Sequence, residues 1–486
     1  CHLWEQLGLD RFWAQRLPPS RKGTRWDWVL QVLVAYRLID PGSEWRLYRH
    51  WYEHSAMADL LGADQELAEI HKLYECHEPL LEHKRELFTH LTGRWQDLFN
   101  AKFEVLLYDL TSTYFESDPP FPEEDKRRYG YSRDKRSDCV QVVIALIVTP
   151  EGFPLAYEVL SGNTSDKATL AGFLHKIQDQ YGKAQRVWVM DRGIPTEKGL
   201  EQMRASDPPV QYRVGTPRGR LSQYEQKLLE LPWQIVREGV SVKLLSEDSE
   251  LYVLAQSRDR VHKERAMRRR QLKGLWQRLK KLQAMKLKRD ALLKKLGAAL
   301  HTYPVAARLL DPTVLPKEAK LTFTLCKDKL RQARKREGRY LLRTNITSGR
   351  TAEELWQFYI QLTEVEAAFK NLKDDLALRP IYHQLEHRIE AHIFLSFLAY
   401  CLHITLRRRL RDLAPGLTAR SVLEKFATVQ MLDVHLPTTD ERTVILSRYT
   451  HPETDVQLLL QQLKLELPAQ PPPKIIRPKL PDNLAA

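Results

Sequence analysis

Cysteine is scarce in this 486-residue chain, and its five copies form no recognisable pattern. They lie far apart and include no CxxC pair, so neither a zinc ribbon nor a disulfide framework is indicated. Cysteines that form neither disulfides nor metal sites are typical of proteins in a reducing compartment. We therefore expect a cytoplasmic protein.

The chain also lacks a secretory signal and a long apolar run. Its first residues, CHLWEQLGLD, have no basic-then-apolar pattern, and because residue 1 is Cys rather than Met we expect the natural N-terminus to lie upstream. The longest apolar stretch, Ala391 to Leu406, contains two histidines and is too short to span a bilayer. These absences predict a soluble protein with no membrane partner.

Acidic residues are outnumbered, with 62 Asp and Glu against 76 Lys and Arg, for a net charge of +14. This balance favours a polyanionic partner, although ribosome or membrane-surface binding would give the same excess. Residues 261–299 alone carry a net +12, and leucines recur on one helical face there. We predict a basic helix over 261–299 that contacts DNA, the alternative being a solvated face. Its candidate contacts are Arg268, Arg269, Arg270, Lys273, Lys280 and Lys281.

Two apolar strands deliver acids to their ends. Phe103 to Leu107 precedes Asp109, and Gln185 to Met190 precedes Asp191. Taken alone, Asp109 could equally be a capping residue of a turn through Thr111-Ser112-Thr113. Two carboxylates at strand ends of an α/β sheet, however, could face one crevice. Hard oxygen ligands of this kind favour Mg²⁺ or Mn²⁺ over zinc.

A third acid, Glu366, lies in a segment with helical patterning. Thr351 and Glu354 form a plausible capping box for this helix. Tyr359 and Lys373 each stand seven residues from Glu366, so all three are predicted near one face. A surface Glu on an amphipathic helix would give the same pattern.

These motifs resemble the DDE transposases of bacterial insertion sequences. The carrying residues are Asp109 with Thr-Ser-Thr after it, the Asp191-Arg-Gly turn, and the Y-x6-E-x6-K spacing of Tyr359, Glu366 and Lys373. The 175 residues between the second Asp and the Glu resemble the branch with a β-rich insertion before the catalytic Glu. The likeness covers roughly residues 100 to 410. Similar stretches are GYSRDKRSD (130–138), SGNTSDKATL (161–170) and LRPIYHQLEHRIEAHIF (378–394).

The resemblance implies an α/β fold: an RNase H-like mixed sheet flanked by helices, with an inserted β-rich and helical subdomain and a helical N-terminal region. The expected parts are 1–100 for DNA-end binding or assembly, 101–220 for the first part of the catalytic core, 221–348 for the insertion, 349–412 for the rest of the core, and 413–486 for a C-terminal region with a Pro-rich tail.

The resemblance also implies the chemistry. Asp109, Asp191 and Glu366 would be catalytic and would bind two Mg²⁺ or Mn²⁺ ions, while Tyr359, Lys373 and Arg192 would join the basic helix in binding DNA. A homodimer on double-stranded DNA would cleave the element's ends and transfer them to target DNA in the bacterial nucleoid. The alternatives are an RNase H-like nuclease without strand transfer and an inactive, transposase-derived DNA-binding protein.

Three details complete the expectations. The family signature usually has Arg three residues after the Tyr, where this chain has Leu362. An Arg there is expected to bind a DNA backbone phosphate, so in this chain that contact is either absent or made by another residue. His383 and His387 have zinc-ligand spacing but no apparent third ligand, which favours phosphate contact or surface placement. The basic cluster Arg331 to Arg336 is expected in a loop between strands.

Overall fold

The structure, a computed structural model, describes residues 1–116, 121–216, 223–224, 227–228, 230–247, 249–315, 320–440 and 442–476. The predicted boundary at 220/221 and the last ten residues of the Pro-rich tail lie outside these ranges. The described chain forms two compact units. The first contains residues 1–188, 196–199 and 361–486, and the second contains 189–195 and 200–360. The five-part domain division stays a prediction.

The N-terminal part of the first unit is helical, as predicted. Apolar residues at helical spacing bury one side of the helix Lys84–Phe99, including Leu91 and Trp95, whereas the helix Trp26–Ile39 is buried on nearly all sides. A π-helical turn at Leu47–Trp51 and 3₁₀ turns at Gln65–Ala68 and Leu80–His83 connect the helices. The helices are α1 His2–Gln6, α2 Leu9–Arg16, α3 Trp26–Ile39, α4 Glu44–Arg46, α5 Met57–Leu61, α6 Ile70–Glu75 and α7 Lys84–Phe99.

A sheet follows in the first unit, in the strand order β3-β2-β1-β4. Its elements are β1 Val105–Phe115, β2 Val140–Val148, β3 Pro154–Ser161, helix α8 Asp166–Tyr181 and β4 Val187–Met190, whose last two residues belong to the second unit. Strands β1, β2 and β3 pair antiparallel. Val187 N donates to Glu104 O (2.8 Å), so β4 starts beside the start of β1 and runs the same way. The sheet is therefore mixed, as predicted.

Asp109 does not end a strand, which corrects the prediction. It lies in the middle of β1, opposite Leu146 of β2, and the pairing continues to Phe115 opposite Val140. Thr111-Ser112-Thr113 is extended strand and not a turn, so the turn-cap reading is also wrong. Polar β-branched residues continue a strand readily once a neighbour satisfies their backbone. Asp191, by contrast, directly follows β4 as predicted.

The second unit contains five antiparallel strands in the order β5-β11-β8-β7-β6. A separate hairpin is formed by β9 and β10. The elements are α9 Glu197–Ala205 (whose first residues belong to the first unit), β5 Gln211–Gly215, β6 Gln234–Arg237, β7 Val240–Glu247, β8 Glu250–Ser257, β9 Leu310–Val314, β10 Leu321–Leu325 and β11 Arg339–Thr344.

The basic segment between β8 and β9 is not one helix, which corrects the prediction for 261–299. It forms α10 Arg258–Ala284 and α11 Arg289–Thr302, separated where Met285 adopts an extended conformation, and then α12 Pro304–Ala307. The cluster Arg331 to Arg336, expected in a loop, lies in helix α13 Lys327–Arg336. Charge alone marked it as loop, but Lys and Arg are good helix formers.

The predicted catalytic helix is divided. Helix α14 Ala352–Ile360 belongs to the second unit, and α15 Leu362–Lys370 and a π-helical turn at Asn371–Asp375 belong to the first. The capping box is confirmed: Glu354 N donates to Thr351 Oγ1 (3.2 Å), and Thr351 N donates to Glu354 Oε2 (2.8 Å).

Helix α16, Glu386–Leu413, is the core of the first unit. Among the described residues it is long and apolar enough to cross a membrane, with mean hydropathy 1.5, yet 94% of that apolar window is buried inside the protein. The remaining elements are α17 Ala419–Phe426, β12 Met431–Pro437, β13 Thr443–Tyr449, α18 Thr454–Leu463 and β14 Lys474–Ile476. The α/β class, the mixed sheet flanked by helices and the helical N-terminal region are confirmed.

Candidate functional site

Asp109 is a half-buried residue of β1 in the first unit. Its neighbour Tyr108 is buried, and the Tyr108 hydroxyl donates to Thr169 Oγ1 of α8 (2.7 Å). Burial raises the pKa of Tyr108, and the hydrogen bond from its hydroxyl to Thr169 lowers it, while the charges of Asp166 and Asp109 add to the rise.

Glu366 is exposed on α15, a helix that packs against β1. Val365 and Phe369 are buried on the packed side, while Glu366 forms no side-chain hydrogen bond or ion pair within the described part of the chain. The helix is tethered by Arg407, whose Nη2 donates to Glu364 Oε2 (2.7 Å). Glu366 is thus a carboxylate that is accessible for a ligand.

Lys373, predicted to bind DNA, is held by an acid that the sequence did not single out. Lys373 Nζ donates to both oxygens of Asp134 (3.2 Å each), and Arg379 Nη1 lies 2.7 Å from Asp134 Oδ2. The Lys373 side chain is 10% exposed. Burial lowers the pKa of Lys373, and the Asp134 charge opposes that change.

The three stretches that carried the resemblance meet around this acid. Arg133 Nη2 donates to Asp166 Oδ1 (2.6 Å), which joins 130–138 to 161–170, and Asp134 joins 130–138 to Lys373 and Arg379. Sequence reasoning gave none of Arg133, Asp134 or Arg379 a role. The sequence signal that could have indicated such a role is the mixture of positive and negative residues in GYSRDKRSD, because these residues form ion pairs with residues distant in the sequence.

Asp191, Arg192 and Tyr359 are brought together within the second unit. Burial raises the pKa of Tyr359 to about 12, with the charge of Asp191 adding to the rise, and its ring stacks on Tyr340 at a centroid distance of 5.7 Å. A Cβ on Gly215 would lie 3.2 Å from both Arg192 Cβ and the Tyr359 hydroxyl. Gly215 therefore allows the close approach, and both Asp191 and Arg192 remain exposed.

Asp109 and Glu366 belong to the first unit and Asp191 to the second, so the meeting of all three carboxylates stays a prediction. The same holds for a common face of Tyr359 and Lys373.

The basic helix α10 presents most of its predicted contacts to solvent. Its apolar stripe, including Leu275, Leu279 and Leu282, packs on α11, α12 and the β9–β10 hairpin. Gly274 faces Tyr303, whose ring would lie 2.6 Å from a Cβ there, so a side chain is excluded at that crossing. Arg269, Arg270, Lys273, Lys280 and Lys281 are exposed and form no ion pair with any described residue.

Arg268 is a correction to the predicted set. Its side chain is 6% exposed and forms an ion pair with Glu337, which is equally buried. Burial lowers the pKa of Arg268 and the nearby Arg334 and Arg265 lower it further. This guanidinium holds α10 to the start of β11 and is not presented to a DNA backbone.

His383 is buried, which corrects the surface placement predicted for the His383 and His387 pair. Only His387 is at the surface, where its Nε2 lies 3.0 Å from Glu78 Oε2. His383 Nε2 instead contacts Glu44 Oε1 (3.3 Å), and His392 and His77 also adjoin this carboxylate. Burial opposes ionisation of Glu44, but the adjoining imidazoles of His383 and His392 hold its pKa well below the usual range. Burial lowers the pKa of His77 to about 3 and that of His392 to about 4.

One trio of acidic, histidine or cysteine side chains in the described ranges brings a ligand atom from each within 4.8 Å of the others. It consists of Glu44, His383 and His392, all buried. The sequence missed it because no short motif contains these residues.

One comparison with known proteins identifies a family. A family model described as "Transposase DDE domain" matches residues 101–402. A search of curated proteins finds no match. Among solved structures, the chain is similar to a "Cryo-EM structure of piggyBac transposase synaptic complex with hairpin DNA (SNHP)", with 8% identity, a TM-score of 0.38, and coverage of 87% of this chain and 76% of that one.

Proposed function

We propose that this chain, which belongs to the transposase DDE domain family, cleaves DNA at the ends of an insertion sequence and joins those ends to target DNA. The family match over residues 101–402, which includes all three predicted acids, carries this proposal. Asp109, Asp191 and Glu366 would hold two Mg²⁺ or Mn²⁺ ions.

The donor set fits such ions. All three side chains offer carboxylate oxygens, the ligands that Mg²⁺ and Mn²⁺ prefer. Asp109 stands four residues after the first residue of β1, and Asp191 four after the first residue of β4. This matched spacing on strands that start side by side supports one shared site. Glu366, exposed on a helix packed against β1, completes the set.

When bound, the ions would lower the pKa of the attacking hydroxyl and stabilise the leaving oxygen. The chain's own residues position the DNA. Arg192 and Tyr359 adjoin Asp191, and α10 offers five exposed cations to the phosphate backbone. Positive charge of this density gives a sequence-independent, salt-sensitive contribution to affinity.

Lys373 would exchange partners when DNA binds. In the protein alone, Asp134 satisfies both Lys373 and Arg379. A phosphate can replace this carboxylate because it is also a charged oxygen acceptor. Leu362 is largely buried in the first turn of α15, so this position cannot supply the positive charge of the Arg that the family signature usually has there. Arg379 and Lys373 are the cations we propose in its place.

The test uses precut end DNA and target DNA with Mg²⁺ or Mn²⁺. We expect Asp109→Asn and Glu366→Gln each to lower both cleavage and joining by roughly 100-fold or more, equivalent to about 3 kcal/mol of transition-state stabilisation, with DNA binding retained. Leu110→Ala is a poor control because it opens the core; Glu353→Gln, an exposed acid on α14, is the matched one.

The alternatives make different predictions. Hydrolysis of end DNA without a joined product would identify an RNase H-like nuclease. Equal activity of wild type and Asp109→Asn, or DNA binding with no cleavage by either, would identify a transposase-derived DNA-binding protein.

We further propose that the protein works as a homodimer on paired double-stranded ends, in the bacterial cytoplasm at the nucleoid. Mass measurement of the protein with end DNA tests the assembly: two chains per complex are expected, and one chain per DNA end without pairing would contradict it.

A further inference from the structure

Three histidine side chains of the first unit converge on one carboxylate oxygen of Glu44, and none of these four residues is among the predicted catalytic acids. Glu44 Oε1 lies 3.3 Å from His383 Nε2, 3.8 Å from His392 Nδ1 and 3.9 Å from His77 Nε2. All four side chains are at least nine-tenths buried. The imidazole rings stand edge to face, with centroid distances of 5.1 Å for His77 and His383 and 5.4 Å for His383 and His392.

Hydrogen bonding within the protein does not satisfy this cluster. His77 is fully buried, yet neither of its ring nitrogens has a hydrogen-bond partner among the described residues, and the same is true of His392 Nε2. Only the contact of His383 with Glu44 is short enough for a hydrogen bond, since 3.8 and 3.9 Å exceed the normal range. Buried polar atoms without a protein partner are commonly satisfied by an ordered water or an ion, and here the rings that carry them adjoin one carboxylate.

We propose that Glu44, His77, His383 and His392 bind one zinc ion, or a similar transition-metal ion, in a four-coordinate structural site. Metal bonds of about 2.0 to 2.1 Å in a tetrahedron place neighbouring ligand atoms about 3.3 to 3.4 Å apart. The Glu44–His383 distance already has this value, and the Glu44–His392 and Glu44–His77 distances need to close by about half an ångström. His77 lies outside the trio whose ligand atoms are all within 4.8 Å of one another, so its ring must also move closer to the other imidazoles to complete the four-coordinate site. The inference is independent of the proposed catalysis.

The ligand chemistry separates this site from the proposed catalytic one. Three imidazoles and one carboxylate are a set that suits zinc, copper, nickel or iron, whereas Mg²⁺ and Mn²⁺ prefer oxygen ligands. Closure by four protein ligands is typical of structural zinc sites. Imidazole coordinates a metal in its neutral form, and burial of all three rings away from water is compatible with that form.

The ion would join segments that the sequence holds far apart. Glu44 begins α4, His77 follows α6, His383 precedes α16, and His392 lies within α16, so the N-terminal helices and the core helix would share one ion. Glu44 and His383 are 339 residues apart in the chain. Because such a link forms only in the folded chain, binding energy becomes folding energy.

Arg37 is the neighbour that opposes a cation. Its Nη2 lies 3.9 Å from Glu44 Oε1 and 3.5 Å from His392 Nδ1, although its Nη1 is anchored on Ala377 O (3.1 Å). Metal binding therefore requires this Nη2 to move away from His392 Nδ1. We expect Arg37→Met, which removes the charge and keeps the bulk, to bind the ion at least as tightly as wild type.

The experiment uses the full chain, purified without chelator, with metal content measured by plasma mass spectrometry. We expect about one zinc per chain in wild type and loss of that zinc in Glu44→Gln and in His392→Gln. The matched control is His387→Gln, which removes an exposed imidazole four residues after His383 and should keep the zinc. Asp109→Asn should keep it as well, which separates this ion from the proposed catalytic ones.

Two further measurements do not depend on catalysis. Cobalt(II) added to the metal-free chain should give the visible absorption of a four-coordinate site in wild type, His387→Gln and Arg37→Met, and not in Glu44→Gln. A chelator should lower the melting temperature of wild type and leave that of Glu44→Gln unchanged. If His392→Gln does not fold, the near-isosteric Glu44→Gln carries the test. Wild type without zinc and without a Glu44-dependent cobalt spectrum would overturn the proposal, as would equal metal loss in His387→Gln.

Discussion

Helices α10 and α16 have almost the same length, 27 and 28 residues, and opposite relations to water. Eighteen residues of α16 are buried, including the whole run from Ala391 to Leu406, whereas only four of α10 are buried. Both sequences support a helix. What differs is how much of each surface finds a packing partner, so α16 stabilises the first unit while α10 offers charge to solvent.

The difference teaches how each helix tolerates change. On α16, nearly every side chain fills space, because protein interiors are close-packed. On α10, only a narrow stripe of apolar side chains packs against α11, α12 and the β9–β10 hairpin. The exposed cations of this helix can therefore be replaced without loss of packing. Folding should therefore be sensitive to α16 and DNA affinity to α10.

The strongest test of this contrast removes an aromatic ring from α16. Phe397 stacks on Tyr157 with a centroid distance of 3.8 Å, and both are buried. We expect Phe397→Ala to lower the free energy of unfolding by about 3 to 5 kcal/mol in urea denaturation. Met267→Ala on α10, where the side chain is 51% exposed, should change it by less than about 0.5 kcal/mol. Similar losses in the two variants would remove the contrast.

A second test separates two adjacent arginines of α10. Arg268→Ala removes the buried partner of Glu337 and leaves that carboxylate only the more exposed Arg265, so we expect a loss of roughly 3 kcal/mol in unfolding free energy with little change in DNA binding. Arg269→Ala should leave folding unchanged and lower the salt slope of DNA binding by about 0.9. If Arg268→Ala instead lowers the salt slope of DNA binding and leaves the free energy of unfolding unchanged, the sequence-based prediction that Arg268 contacts DNA was right.

A third test compares two helical glycines of the second unit. Gly274→Ala should place a methyl group against the Tyr303 ring and lower the unfolding free energy by roughly 1 to 2 kcal/mol. Gly297→Ala, in α11 with nothing within 4 Å, should raise it by about 0.5 to 1 kcal/mol because alanine restricts the unfolded chain. A gain at both positions would mean that α10 and α12 separate easily.

The smallest effect on folding is expected from exposed cations. Lys273, Lys280 and Lys281 replaced together by Gln should change the unfolding free energy by less than about 0.5 kcal/mol. The same variant should lower the salt slope of DNA binding by about 2.7. A charge-matched control replaces exposed Lys22, Lys102 and Lys464 by Gln. Equal slopes in both variants would show that net charge, and not α10, determines affinity.

Local pattern predicted much of the fold. The apolar run before Asp191, the Thr351 capping box and the periodic leucines of α10 could all be recognised in the sequence, because each depends on neighbours within a few residues. The errors also have physical causes. β1 continues past Asp109 because β2 supplies backbone partners, and the helix at Lys327–Arg336 forms despite its dense positive charge.

The sequence alone determined the family resemblance, the excess of positive charge and the three candidate acids, since these depend on residue identity and spacing. Only the tertiary structure decided that Arg268 is buried against Glu337, that Asp134 holds Lys373 and Arg379, and that three histidines surround Glu44. Those arrangements bring together side chains that are distant in sequence, and such contacts form only when packing closes the chain on itself.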